Sequence, residues 1–341
     1  MKRGVEPLKK AILLVSQIDM GRARTVAIFA LSLAAWGQSS QGDVEFFGHQ
    51  GHDETKLRAA IAATSWSPEK VRAALAVIGV APTDVAVICC DDQRREVLFV
   101  GIAGASYQPF PFNPEPTDAL RFGREPRQLA DAADQAFVRA ARRGGDAGSE
   151  DDSAGYAMFK DPALRRVLHR IRKYALGHES ELRDALAHSA HVRSRQIASQ
   201  FLGYATASPS QIAALATAAR DPNGTVRNNA TRALGVLVRS NARWAAEVPV
   251  APFVAMVRSG IWTDRNKAVT LLDQLTISRD PATLDMVRES AESALLEMAR
   301  WRNVGWSYRA RMVIGRLRGI PEEKLQQLAG AGPLPLANPE K

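Results

Sequence analysis

The feature that most constrains this chain is the segment Asp221-Pro222-Asn223-Gly224-Thr225-Val226-Arg227-Asn228-Asn229-Ala230-Thr231-Arg232-Ala233-Leu234-Gly235. Asp-Pro opens a turn, Val226-Arg227 begins a helix, Ala230 is small enough to let a neighbouring helix approach, and Leu234-Gly235 closes the packed face. The same frame fits Arg195, Ala198 and Leu202-Gly203, then Arg265, Ala268 and Leu272, with Arg309, Met312 and Leu317 as a degenerate copy. The arginines recur at intervals of 32, 38 and 44 residues, in the range of stacked helix pairs. Asp161-Pro162, followed by Leu164, Leu168, Ile171 and Ala175, supplies a first unit. Second helices are expected over Glu179 to Ala187, Pro209 to Ala219, Val250 to Arg258, Pro281 to Arg300 and Glu322 to Leu328. One helix pair cannot bury its apolar face alone, so each unit must lie against the next.

This pattern resembles the HEAT repeats. The resemblance implies that residues 160–332 form an armadillo-like α-solenoid, a right-handed superhelical stack of about five helix pairs that works as a binding scaffold. It also implies that the second helices line a concave surface where partners sit. In such repeats the arginine pairs with the turn aspartate of its own or the adjacent unit, as Arg227 would with Asp221. Asp221, Val226, Arg227, Ala230, Leu234, Gly235, Arg195 and Arg265 are therefore expected to be structural, guanidinium suiting fork-like carboxylate pairing. Trp244, Trp262, Trp301 and Trp306 are the candidate partner-binding residues, since aromatics and arginines together make hot spots. Their alternative is to anchor helix packing.

Upstream, Thr25 to Trp36 is an uncharged apolar run preceded by Arg22 and Arg24 and followed by small polar residues, the parts of a secretory signal peptide. Residues 1–37 are read as that signal, with residues before Met20 a possible extension of the start. Residues 44–104 read as a small α/β module of order βααββ: a strand at Val44 to Gly48, helices from Thr55 and from Ser67-Pro68, and strands Asp84 to Cys90 and Glu96 to Ile102. That order resembles the POTRA modules of bacterial envelope proteins, which implies partner binding by strand addition. The fold class expected for the chain is α+β, this module followed by the all-α repeats.

Between the two, residues 105–143 combine a proline-rich extended stretch, Tyr107 to Pro116, with an amphipathic helix from Pro126 to Arg143. Residues 144–159 carry Asp146, Glu150, Asp151 and Asp152 among glycines and serines and read as an acidic flexible linker. Residues 333–341 read as a disordered tail. Cys89 and Cys90 are adjacent, a separation shorter than disulfides prefer, so buried free thiols are expected. His49, His52 and Asp53 lack a further ligand set and read as a solvated turn. No metal or cofactor is expected.

The 341 residues carry 45 Lys and Arg against 36 Asp and Glu, a net charge of +9. Such an excess suits nucleic acid, an anionic membrane surface or an acidic protein. The chain has no GxSxG elbow, phosphate-binding glycine loop or HExxH helix. The reading is a non-enzymatic scaffold, periplasmic or secreted in a bacterial envelope, without a membrane span in its mature form, mediating protein–protein interaction with a protein or peptide partner. The alternative is a nucleic-acid-binding protein similar to the HEAT-like DNA glycosylases, against which a secretory leader argues.

Overall fold

A computed structural model describes residues 41–331 except positions 90, 92, 94 and 144–149. The expected signal peptide and the tail 333–341 lie outside the described residues. The chain is mostly helical, with a small sheet near its N-terminal end. It forms two compact units. One is Pro111–Pro252; the other joins the described residues up to Phe110 with those from Phe253 onward. The 44–104 module thus shares a unit with the last helices of the chain and is not set off from them as a separate domain.

In the discontinuous unit, β1 (Gln41–Phe47), β2 (Pro82–Ile88) and β3 (Glu96–Ile102) form a sheet of order β1-β3-β2. β1 runs parallel and β2 antiparallel to the central β3. Helices α1 (Glu54–Ile61) and α2 (Pro68–Val77) connect β1 to β2. Asp53 starts α1 by accepting the amides of Thr55 and Lys56 at 3.0 and 3.3 Å. Ser67 starts α2 by accepting that of Lys70 at 3.3 Å, with Pro68 at the first helical position. Strand side chains alternate, so Phe46, Leu98, Val100 and Val85 pack on one sheet face with Leu57, Ile61, Val71 and Leu75. The other face is buried too: Val97 to Val100 are all fully inaccessible. A strand covered on both sides reads as a continuous apolar run, which EVLFVGI is.

The rest of this unit is α9 (Ala251–Val257), α10 (Trp262–Leu275), α11 (Pro281–Ala299), α12 (Val304–Leu317) and α13 (Glu322–Ala331). α12 and α13 approach so closely that a Cβ on Gly315 would lie 2.0 Å from Leu325. Gly101 is equally constrained: a Cβ there would sit 2.7 Å from the Gly260 carbonyl, in front of α10.

The continuous unit contains α3 (Arg124–Arg143), α4 (Pro162–Gly177), α5 (Glu179–His188), α6 (Val192–Leu202), α7 (Pro209–Ala218), α8 (Gly224–Ser240) and a 3-10 turn at Ala242–Glu247. α3 buries Leu129, Ala133, Ala136 and Ala140, one stripe at helical spacing. Asp161, Ser208 and Asn223 cap α4, α7 and α8 with their side chains.

Two segments of this unit differ from expectation. The acidic stretch is no free linker in its described part. Glu150–Asp151 and Met158–Phe159 pair as a short hairpin, β4 and β5. Glu150 accepts Arg232 at 2.9 Å and Asp152 accepts Arg239 at 2.5 Å. Arg232 and Arg239 are seven residues apart and share one face of α8, so carboxylates two apart on an extended chain meet both. The proline-rich stretch lies over the helix turns. Asn113 donates its amide to the Arg220 carbonyl at 2.7 Å, and Asp118 exchanges backbone bonds with His188 and Ala190 at 2.9 and 2.7 Å. Prolines cannot serve a regular ladder, yet the amides between them close the turns before α8 and α6.

Candidate functional site

The repeated arginines all lie inside the protein. Arg195, Arg227 and Arg265, each the fourth residue of its helix (α6, α8 and α10), and Arg311, the eighth of α12, are at most 2% exposed. Each holds carbonyls of the turn before its helix. Arg195 Nη1 donates to Ser189 O at 2.9 Å, Arg227 Nη1 to Asp221 O and Pro222 O at 2.9 and 3.0 Å, and Arg265 Nε to Ser259 O at 2.6 Å. Arg311 donates from Nε to Ala299 O at 2.9 Å and from Nη2 to Trp301 O at 3.3 Å. On α12 the arginine that turns to the preceding carbonyls is Arg311, while Arg309 pairs with Asp273 at 2.5 Å. Hydrogen bonds from a charged donor contribute about 1.5–3 kcal/mol each, which makes every such turn a strong anchor.

Asp221 takes the arginine of the earlier helix, α6. Arg195 reaches its carboxylate at 2.7 and 3.2 Å, a bidentate pair. Val226, Ala230 and Leu234 are fully buried, and Gly235 lies in the same packed face.

Trp262, Trp301 and Trp306 are 2–3% exposed and surround one residue of the sheet, Phe99, with ring centroids at 5.0, 5.1 and 5.3 Å. The Trp301 indole N–H also donates to Phe46 O at 2.9 Å. None of the three offers a surface to a partner. Trp244, in the other unit, is 9% exposed, with the Arg243 guanidinium 4.2 Å from its ring centre. The strand pattern holds a signal for this placement, since Phe99 on the face opposite Leu98 and Val100 requires an apolar cover.

The same seam carries buried carboxylates aimed at backbone amides. Neither α10 nor α12 has a side-chain cap of its own. Asp84 on β2 accepts the Trp262 amide at 2.9 Å, and Glu45 on β1 accepts those of Arg302 and Asn303 at 2.6 and 3.4 Å. A carboxylate complements the positive end of a helix. Burial nonetheless dominates: it pushes the Glu45 carboxyl up to about 7, and it raises that of Asp84 also. On α11, Glu297 accepts the Gly48 amide at 2.8 Å and Arg265 at 3.4 Å. Burial brings the Arg265 guanidinium down to about 10, while Glu297 acts against that fall, and the side chain stays cationic at neutral pH.

The turn after β1 is less solvated than expected. His49 stands between Glu297, 3.3 Å from Nδ1, and Glu54, 3.5 Å from Nε2. Asp53 is a helix cap, and His52 alone of the three faces solvent without a structural task. Cys89 is disulfide-bonded, which corrects the expectation of a free thiol; Cys90 lies outside the described residues.

What stays outside is charge. α4 turns Leu164, Leu168, Ile171, Tyr174 and Ala175 inward and leaves Arg165, Arg166, His169, Arg170 and Lys173 exposed. No protein-family model matches the chain, and no curated protein matches it.

Proposed function

We propose that this protein is a non-enzymatic, exported scaffold whose helices form a HEAT-like array and bind another protein. The observation that carries the reading is the repeated buried arginine. Three helices carry the arginine at their fourth position and α12 carries one a turn further in, each tying down the turn before its helix, as expected of one structural unit used repeatedly. In this reading the conspicuous arginines and three of the four tryptophans belong to the framework, and partners meet the remaining helical surfaces. Export rests on the leader-like N-terminus. No described helix is long and apolar enough to cross a membrane.

Crosslinking in intact cells, with fractionation of the same cells, tests both parts. The expected result is a chain in the envelope fraction joined to a specific protein. A cytoplasmic chain joined to no protein would contradict it.

The exposed cations of α4 favour one other reading, a nucleic-acid-binding protein similar to the HEAT-like DNA glycosylases. Binding to duplex DNA at physiological ionic strength, falling steeply with salt, together with cytoplasmic location, would select it.

A further inference from the structure

We propose that the exposed face of α4 is a docking site for an extended acidic segment of a partner protein. The proposal rests on the scaffold reading and gives it a surface and a ligand chemistry.

Five cationic or protonatable side chains occupy this face within nine residues. Arg165, His169 and Lys173 follow one another at four-residue steps, and Arg166 and Arg170 do the same alongside. Among the described residues, no carboxylate pairs with any of the five. Like charges one helical turn apart destabilise a helix by a few tenths of a kcal/mol per pair, so this arrangement lowers the stability of the free protein. Arg139 and Arg142 add exposed cations on α3, which runs antiparallel against α4. That direction follows from Arg143 at the end of α3 pairing with Asp161 at the start of α4. The Arg143 charge is thereby matched; among the described residues no carboxylate pairs with Arg139 or Arg142.

The geometry selects the ligand. Four residues of helix rise about 6 Å, and alternate residues of an extended strand repeat every 6.6–6.8 Å or so. Carboxylates at alternate strand positions therefore come into step with cations at i and i+4. The protein holds a looser form of this recognition in cis: Glu150 and Asp152, alternate residues of one segment, are held by Arg232 and Arg239 of α8, two turns apart and not one. On α4 the cations are present and the acidic strand is not supplied by the described chain. A membrane is a poorer occupant, because the apolar side of α4 is turned into the core and Leu176 alone of its large apolar side chains is exposed, too little to insert. Single-stranded nucleic acid is poorer as well, because the exposed face of α4 has no Phe, Tyr or Trp on which successive bases would stack.

The test uses the full chain and a fluorescein-labelled peptide of alternating glutamate and serine, about twelve residues or ~40 Å long when extended, read by fluorescence anisotropy. The comparison probes are a duplex DNA and vesicles containing phosphatidylglycerol. The peptide is expected to bind and to raise the unfolding midpoint. The variant R165Q/R166Q/R170Q/K173Q should weaken binding about tenfold or more while unfolding at or above the wild-type temperature. The variant R165E/R166E/R170E/K173E should instead bind the matching lysine–serine peptide, so a loss caused by misfolding is distinguished from a loss of charge. Equal peptide binding by wild type and the glutamine variant would overturn the proposal. So would tighter binding of DNA or vesicles, lost in that same variant. If the peptide fails while the wild-type chain still crosslinks a protein in cells, the site assignment falls and the scaffold reading stands. If the wild-type chain crosslinks no protein, both fall together.

Discussion

The two units close the same kind of turn in two different ways. In Pro111–Pro252 the turns before α6 and α8 are covered by an extended strap: backbone bonds at Asn113 and Asp118, a Glu115 carboxylate on Arg195 at 3.1 Å, and Phe112 under Arg227 at 4.4 Å. In the discontinuous unit the turns before α10 and α12 are covered by a sheet, whose Asp84 and Glu45 reach the helix amides while Phe99 fills the space between three tryptophans. The arginine is constant and the cover is not. A guanidinium that satisfies some turn carbonyls from within leaves the other backbone groups to the cover: the strap donates to Arg220 O and His188 O and accepts from Ala190 N, and the sheet carboxylates accept amides. Both covers are long-range in sequence: the strap joins Asp118 to Ala190 and Phe112 to Arg227, and the sheet reaches across more than 170 residues, as Asp84 and Trp262 show.

Removing an arginine breaks the comparison most severely. Arg265→Ala strips Glu297 of its buried countercharge, and Arg195→Ala does the same to Asp221. A broken buried pair costs about 3–5 kcal/mol. Each variant should lose that much in urea melts, with limited proteolysis showing Arg265→Ala opening the sheet-covered unit and Arg195→Ala the strap-covered one. Equal damage to both units by either variant would show that the division is wrong.

The next effect belongs to the sheet alone. The Glu45 carboxyl binds a proton more tightly in the folded state, near 7, than at its ordinary 4.5. Its contribution is therefore fully present at low pH and is lost as pH rises through that window, amounting to about 3 kcal/mol. Glu45→Gln should flatten the fall in stability between pH 5 and 8 by roughly this amount, as urea midpoints across that range would reveal. Trp301→Phe should cost about 1–3 kcal/mol, because Phe46 O loses its donor. The smallest pair tests likeness and not difference: Ser67 and Ser208 cap α2 and α7 in the same manner, at 3.3 and 3.2 Å, so Ser→Ala at either should cost about 1 kcal/mol in thermal melts.

Local grammar explains how much of this was legible. Ser67-Pro68, Asp161-Pro162, Pro209 and Pro281 mark helix starts that the structure places within a residue of the expected ones, because a cap and a proline act on their own turn. The strand Glu96–Ile102 has the bounds its β-branched run predicts. What remained hidden lies at long range. Nothing near Trp301 announces that Phe46 and Phe99 are its neighbours, and nothing near Glu45 announces that it caps a helix beginning at Val304. The choice between Arg309 and Arg311 had the same origin: both are helical arginines, and only the position of the preceding carbonyls decides which one turns inward. Asp152 and Glu150 read as a linker for want of the two arginines on α8 that hold them.

The central structural claim is that residues 41–110 and 253–331 stand or fall together, and native-state hydrogen exchange on Arg265→Ala measures it directly. Protection should fall in parallel in β1, β3, α10 and α12, with α6 and α8 keeping theirs. A loss confined to α10 and α12, with the sheet amides as protected as in the wild type, would contradict it.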